Sequence, residues 1–461
     1  MTLIKSISGI RGTIGGKVND GLTPIDAVKF AAAYGTWLKN RNQSTSLKVV
    51  VGRDARLSGQ MISDLVISTL VGLGIDVVNL GLSTTPTVEV AVTMENAQGG
   101  VILTASHNPK QWNALKLLNE KGEFISGTDG EEVLKIAEDE SYTFAEVDDL
   151  GKVTETDEYL KKHIDAILAL PLVDKKAIEE ANFSIVVDAV NSTGGIFVPA
   201  MLEALGVKNI TKMYCDPTGH FPHNPEPLPE HLTDLSDKIK ELGADLGITV
   251  DPDVDRLALV CEDGSMFGEE YTLVACADYV LTHTPGATVS NLSSTRALRD
   301  ITENRGLVYS AAAVGEVNVV TKMKETNAVI GGEGNGGIIY PELHYGRDSL
   351  VGIALFLSHL AHKKTKVSAL RDSYPTYTIS KNKIELTPEI NVDAILAQMA
   401  QKYASFEVDT IDGVKIYIEK EWVHLRKSNT EPIIRIYSES ETAEKANLFA
   451  NRIITEIKEL L

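Results

Sequence analysis

The chain has 461 residues, 43% of them hydrophobic and 23% charged. At roughly 100 to 200 residues per domain this is the composition of a soluble globular protein of about two to four domains, and it excludes a single small module, a disordered chain and a membrane protein. The 64 acidic residues against 44 basic ones give a net charge of −20. Such a surface repels nucleic-acid phosphates and anionic lipid, so neither is an expected partner, and any anion must be handled at local basic sites.

Cys215, Cys261 and Cys276 show no CxxC spacing, and an odd count in so long a chain argues for a reducing compartment. The N-terminal MTLIKSISGIRGTIGG breaks into Ser, Gly and Arg before any apolar run reaches signal-peptide length. The longest apolar stretch, Leu350 to Ala361, is interrupted by Ser358 and His359 and is too short to span a bilayer. A soluble, cytoplasmic protein is the expectation.

Taken in chain order, three stretches share one plan. Val49 to Val51 reads as a strand, Gly52 to Asp54 as a polar turn, Ser58 to Leu73 as a helix closed by Gly74, and Ile75 to Leu80 as a second strand. The plan recurs with the strand Ile185 to Val187, a turn from Asp188 to Gly195, a helix through Leu205, and Gly206 before Val207. It recurs again with Thr288 to Ser290, a turn through Ser293 and Ser294, a helix into Asn304, and Gly306 before Leu307 to Tyr309. Glycine just past each helix is the expected C-cap. Each unit is followed by another helical pattern and a short apolar strand that runs into a polar loop: VILTASHNP (101–109), LGITVDPDVDR (246–256) and AVIGGEGNGG (328–337).

Strands alternating with helices predict mainly parallel sheets, and ligands bind outside the carboxyl ends of such strands, so the three loops are expected to converge on one cleft. From about Tyr374 the texture changes: 410–420 and 421–425 read as a hairpin, 433–437 as a strand and 441–461 as an amphipathic helix. The expected architecture is therefore α/β: three tandem, topologically similar α/β domains with mixed, mainly parallel sheets (1–150, 151–256 and 257–370) and a C-terminal α+β domain (371–461), arranged around a central cleft.

The loops carry the chemistry. Asp251, Asp253 and Asp255 alternate in DPDVD, and a curled backbone converges three such carboxylates on a hard cation, with Mg²⁺, Ca²⁺ or Mn²⁺ favoured over zinc. An EF-hand is excluded because Arg256 stands where its sixth-position glycine is needed. The competing reading is an acidic turn capped by Arg256. Ser106, in TASHNP, ends the equivalent strand of the first unit; alone it reads as a turn residue, but opposite a cation it suits phosphoryl transfer. Lys116 is a proton carrier or phosphate ligand, or else a surface lysine. Glu333 and Asn335 lie in a glycine-rich loop without the GxGxxG spacing of a dinucleotide site, and suit hydrogen bonds to neighbouring sugar hydroxyls or a structural turn. RKSNTEP (426–432), with Arg435 beyond it, reads as an anion nest for a phosphate, and Arg11 in SGIRG is a second isolated arginine able to reach the cleft. Lys427 completes the basic group.

In their order along the chain, SGIRG, TASHNP, DPDVDR, GEGNGG and RKSNTEP resemble the motifs of the α-D-phosphohexomutases, and the resemblance covers essentially the whole chain. It implies that Ser106 is the phosphorylated serine, that Asp251, Asp253 and Asp255 hold Mg²⁺ together with a phosphoserine oxygen, and that Glu333 and Asn335 grip sugar hydroxyls. It further implies that Arg426, Ser428, Asn429, Thr430 and Arg435 bind the non-reacting phosphate. Arg11 and Lys116 match the catalytic centre, Lys116 as a candidate general base, and His107 supports the serine's phosphate. The implied reaction interconverts hexose 6-phosphate and hexose 1-phosphate through a hexose 1,6-bisphosphate that turns around in the cleft. A common bacterial form of the sugar loop is GExSGH. Here Asn335 replaces its serine and Gly337 its histidine, a form similar to phosphoglucosamine mutases and related enzymes of archaeal type, which tilts the expected substrate toward glucosamine phosphate. The alternatives are a phosphoglucomutase/phosphomannomutase of broad specificity, a metal-dependent phosphohydrolase and a non-catalytic sugar-phosphate sensor. The sequence does not indicate an oligomeric state.

Overall fold

The computed structural model describes residues 2–6, 9–42, 46–387, 390–427 and 433–460. Its strands form four sheets of seven, four, four and five strands. In the first, the strand Leu47–Arg53 is central; Ile75–Leu82 lies parallel on one side and Gly99–Leu103 parallel on the other, and Trp112–Leu118 returns antiparallel beside Gly99–Leu103. The second sheet repeats this with Ser184–Asp188 between Asn209–Met213 and Leu246–Val250, and with Leu257–Cys261 returning. The third does so with Thr288–Asn291 between Tyr309–Ala312 and Ile330–Glu333, and with Gly337–Ile339 returning. The tandem repeat is thus a repeat of topology, and each polar loop connects the third strand of a unit to its return strand.

The central strands are β-branched runs because both of their faces are covered. Val49 and Val51 pack in one apolar cluster while Val50 packs in another on the opposite face, and Ile185 and Val187 are separated from Val186 in the same way. Gly74, Gly206 and Gly306 follow the helices with φ of 78°, 90° and 69°, the left-handed conformation of a C-cap. The apolar stretch at 350–361 becomes the helix Ser349–Lys363, buried on all sides from Ser349 to Ala361 in a core that the second and third units share. Among the described residues no helix is long and apolar enough to cross a membrane.

The divisions expected at 150 and 256 shift. Val153–Glu155 pairs with Ile75–Leu82, so the first sheet runs past 150. Position 256 falls inside the antiparallel pair Leu246–Val250 and Leu257–Cys261, which keeps the second unit together to Cys261. The division at 370 lies within the helix Val367–Asp372. The last unit is α+β as expected: five antiparallel strands in the order Thr378–Glu385, Ile433–Ser440, Glu421–Lys427, Val414–Ile418, Glu407–Asp409, packed against the helices Val392–Lys402 and Ala443–Lys458.

Candidate active site

Ser106 sits at the turn after Gly99–Leu103 with φ of 49°. Its loop is held from below by Arg56, whose fully buried guanidinium donates to the carbonyls of Ser106, Asn108 (2.7 Å), Pro109 (2.9 Å) and Trp112 (3.0 Å). Asp54 fixes the arginine through Nε at 3.0 Å and also accepts from Thr104 Oγ1 at 2.7 Å, and Thr104 Oγ1 in turn accepts the Ser106 N–H at 2.9 Å. Four carbonyls converging on one guanidinium pin the serine at a tight left-handed position. Arg56 escaped notice in the sequence; an arginine two residues past an aspartate, at the end of the strand beside 99–103, is the signal that could have found it.

The second loop curls as the aspartate spacing predicts. Asp251 Oδ1 accepts the N–H groups of Asp255 and Arg256 at 3.2 and 3.1 Å, and Pro252 O accepts from Ser192 Oγ and Thr193 Oγ1 at 2.7 and 2.9 Å. Val254, a β-branched residue, is forced to φ of 64°, a strained conformation of the kind that clusters at functional sites. All three aspartates are buried, each offering one oxygen within 4.8 Å of the others. Asp253 Oδ1 and Asp255 Oδ1 have no hydrogen-bond partner among the described residues. Two orphaned, buried carboxylate oxygens beside a third carboxylate are what a hard divalent cation satisfies, so the donor set fits Mg²⁺.

Ser106 Oγ lies 2.7 Å from Asp251 Oδ2 and 3.4 Å from His107 Nδ1. The strand returning from the serine loop carries Lys116, whose Nζ reaches Asp253 Oδ2 at 2.7 Å and Asp255 Oδ2 at 3.3 Å. Arg11 lies on Gly9–Thr13, paired with that return strand, and its Nη1 donates to Asn108 Oδ1 at 3.4 Å.

Burial works against the charge on Lys116, but Asp253 and Asp255 outweigh it and raise its pKa. The two aspartates therefore favour the ammonium form of Lys116, which stands against the general-base role that the resemblance implies. Burial and the nearby Arg256 push His107 well below the usual histidine range, so a neutral imidazole able to accept a proton stands beside the serine. Asp251 is pushed well up by burial and by Asp253 and Asp255, the like-charge repulsion that a cation relieves.

The sugar loop meets the metal loop through backbone. Gly336 O accepts from Leu257 N at 3.1 Å, and a Cβ on Gly336 would lie 2.2 Å from Leu257 O. Glu333 Oε1 accepts from Asn291 Nδ2 at 2.8 Å and Gly315 N at 3.1 Å. Asn335 Oδ1 accepts from Gly337 N at 3.2 Å. Arg347, absent from the expected set, links the two loops: Nη1 to Glu333 Oε2 at 2.8 Å, Nη2 to Asp255 Oδ2 at 2.7 Å and Nε to Glu316 Oε2 at 3.0 Å. A Cβ on Gly337 would stand 2.3 Å from Arg347 Cδ. Glycine at 337 thus leaves room for this arginine.

Two adjoining cavities form the cleft. The larger, about 520 Å³, touches Ser106, His107, Arg11, Lys116, Arg347 and Arg426; the smaller, about 260 Å³, touches His107, Arg256, Lys381, Arg426, Arg435 and His424. Glu333 and Asn335 border both. Arg426 is oriented by Asp412, at 3.0 Å from Nε. Ser428, Asn429 and Thr430 lie outside the described residues. Lys427 pairs instead with Asp393 at the surface, at 3.0 Å.

The comparisons agree with this layout. The chain matches the phosphoglucomutase/phosphomannomutase α/β/α domains I, II and III over residues 3–144, 161–264 and 268–377, and the C-terminal domain over 383–456. It is 36% identical to a phosphoglucomutase/phosphomannomutase of Thermococcus kodakarensis, over 98% of each chain. It is 31% identical to a probable phosphoglucosamine mutase of Methanopyrus kandleri, over 98% of this chain and 97% of the other. A crystal structure of a phosphoglucomutase/phosphomannomutase family protein from Burkholderia thailandensis superposes with a TM-score of 0.85 at 26% identity, covering 99% of this chain and 98% of that one. With all four domains matched in order, the chain belongs to the phosphoglucomutase/phosphomannomutase family of phosphohexomutase isomerases.

Proposed function

We propose that this protein interconverts a hexose 6-phosphate and a hexose 1-phosphate through a phosphorylated Ser106 and a hexose 1,6-bisphosphate. The observation that carries the reading is Ser106 Oγ, 2.7 Å from an aspartate whose two neighbours hold orphaned oxygens. Mg²⁺ bound by Asp251, Asp253 and Asp255 would neutralise charge on the transferred phosphoryl oxygens. Lys116 and Arg11 border the same cavity and supply further positive charge to that group. As the sugar hydroxyl oxygen forms its bond to phosphorus, the bond to Ser106 Oγ breaks. His107, a neutral imidazole beside that oxygen, takes the proton the sugar hydroxyl loses and returns a proton to Ser106 Oγ as it departs. Glu333 and Asn335 hold ring hydroxyls at the junction of the two cavities, and Arg426 and Arg435 take the second phosphate. After the bisphosphate reverses, the same groups serve the other end.

For the sugar we favour glucosamine phosphate. Its 2-ammonium would enter a cavity bordered by Glu226, Glu269, Glu270 and Glu333. Glu270 abuts the sugar loop so closely that a Cβ on Gly334 would lie 2.1 Å from its Oε2. The Methanopyrus relative bears the corresponding name. A phosphoglucomutase/phosphomannomutase of broader choice is the second reading, favoured by the Thermococcus relative at 36% identity. Comparing kcat/KM for glucosamine, glucose and mannose 1-phosphates decides between them. Preference for glucosamine by at least about tenfold, equal to about 1.4 kcal/mol in the barrier, is expected. In Glu270→Gln that preference should shrink, and equal ratios in the wild type would discard the glucosamine assignment. The sugar phosphate is the expected partner, and the cytoplasm the expected location.

A further inference from the structure

Behind the active site lies a second cluster that the reaction does not use. His163, on the helix Tyr159–Leu168, places Nε2 3.0 Å from Asp348 Oδ2, and His344 places its Nε2 3.3 Å from the same oxygen. The three donor atoms lie within 4.8 Å of one another. Each ligand is oriented by a further group. Thr87 Oγ1 is 2.9 Å from His163 Nδ1. Glu89 Oε2 faces His344 Nδ1 at 3.3 Å. Asp348 Oδ1 is taken by the N–H groups of Leu350 and Val351 at the start of the helix Ser349–Lys363, at 2.8 and 3.3 Å. In the tautomers that carry the proton on Nδ1, both Nε2 lone pairs point at one carboxylate oxygen, the arrangement a cation between them would satisfy.

Glu89 supplies the independent observation. It is 1% exposed, and among the described residues neither its carboxylate oxygens nor the His344 Nδ1 it approaches has a hydrogen-bond partner, the 3.3 Å contact between them being one of charge. Its approach to His344 depends on Gly346, where a Cβ would stand 1.8 Å from Glu89 Oε2. A buried carboxylate behind a histidine ring is the outer-shell arrangement of metal-bound imidazoles.

We propose that His163, His344 and Asp348 bind a second divalent cation of the first-row transition series, zinc being the representative ion. Two imidazoles and one carboxylate select zinc-like ions over magnesium, whereas the all-oxygen aspartate loop does the reverse. Three protein donors leave a fourth position for water. The ion would act at a junction. Glu89 and Thr87 belong to the helix Thr85–Met94, whose first residue donates to Asp253 Oδ2 at 2.5 Å, and Ser349, next to Asp348, donates its N–H to Val254 O at 3.2 Å. The second cation thus ties the second unit, through His163, to the third, through His344 and Asp348, with Thr87 and Glu89 of the first unit packed behind the histidines. The competing arrangement is a His344 imidazolium shared by Asp348 and Glu89, with no metal.

The test uses the full chain, stripped with chelator, loaded with Zn²⁺ in a large excess of Mg²⁺ and passed through gel filtration before elemental analysis. One zinc per chain is expected in the wild type and in Asp253→Asn, and a loss of at least about tenfold in His163→Gln/His344→Gln. Zinc K-edge absorption of the loaded wild type, which does not depend on the variants folding, should show two imidazole nitrogens. No zinc retained by the wild type, undiminished zinc in the folded double variant, or a coordination shell without imidazole would each overturn the proposal.

Discussion

Replacing Arg347 with methionine is the sharpest perturbation of the cleft that leaves every proposed catalytic group in place. The side chain is 9% exposed and its guanidinium pairs with Asp255, Glu316 and Glu333 at 2.7, 3.0 and 2.8 Å. Methionine fills most of the volume but strands three carboxylates, of which Lys116 pairs directly with Asp255 and acts on Glu316 from further away. Removing one partner of a buried ion pair costs about 3–5 kcal/mol. Three such costs do not add, because a stranded carboxylate takes up a proton instead: burial already raises Glu316 even with Arg347 present. In the variant the folded state therefore binds protons that the unfolded chain releases above about pH 4.5, so its stability falls as pH rises, by about 1.4 kcal/mol per unit for each carboxylate that stays protonated. The expected deficit against the wild type is about 3–5 kcal/mol at pH 8, shrinking to about 1 kcal/mol near pH 5. Urea denaturation followed by circular dichroism at the two pH values measures it. Arg347→Lys, which keeps the charge but loses the three-way fork, should fall between. A deficit below about 1 kcal/mol at pH 8, or one equal at both pH values, would refute the reasoning.

Asp253→Asn removes one charge and one orphaned oxygen from the aspartate loop; mutase activity should drop by at least about a hundredfold, and Mg²⁺ added back to chelator-treated wild type should restore activity while leaving the variant inactive. Unchanged activity in that variant would remove the metal from the account. His424 bonds to Ser293 Oγ at 2.9 Å and to Asp412 O at 2.6 Å, and burial pushes its pKa down to about 4. Between pH 6.5 and about 4 the unfolded chain holds a proton that the folded one refuses, so stability declines as pH falls through that window, by up to about 3 kcal/mol. A His424→Gln variant should lose that part of the slope in pH-dependent urea titrations, and a slope identical to the wild type would contradict it.

What the sequence made legible was local. Each polar loop announced itself because it follows a short apolar strand, and the DPDVD alternation foretold a curl whose carboxylates converge. The glycine C-caps marked the repeat. What stayed hidden depends on distance along the chain. Arg347 meets Asp255 across 92 residues and Arg56 meets Ser106 across 50, and neither carries a local pattern that names its partner. The domain divisions slipped where a functional loop is also the bend of a hairpin: DPDVDR reads as an end, yet the chain turns back into the same sheet. The strand Thr378–Glu385 was missed because its polar TISKNKIE lies at one edge of its sheet, with only Ile384 buried. Lys116 was legible as a residue of the centre, but its pairing with Asp253 and Asp255 comes from another unit.

The most direct test of the proposed reaction is the fate of Ser106. After incubation with hexose 1,6-bisphosphate and Mg²⁺, intact-mass and peptide mapping should find one phosphate on Ser106. It should be discharged by hexose 6-phosphate with formation of the 1-phosphate, and both phosphate and turnover should vanish in Ser106→Ala. Phosphate on another residue, or a Ser106→Ala variant that still isomerises at the wild-type rate, would contradict the account.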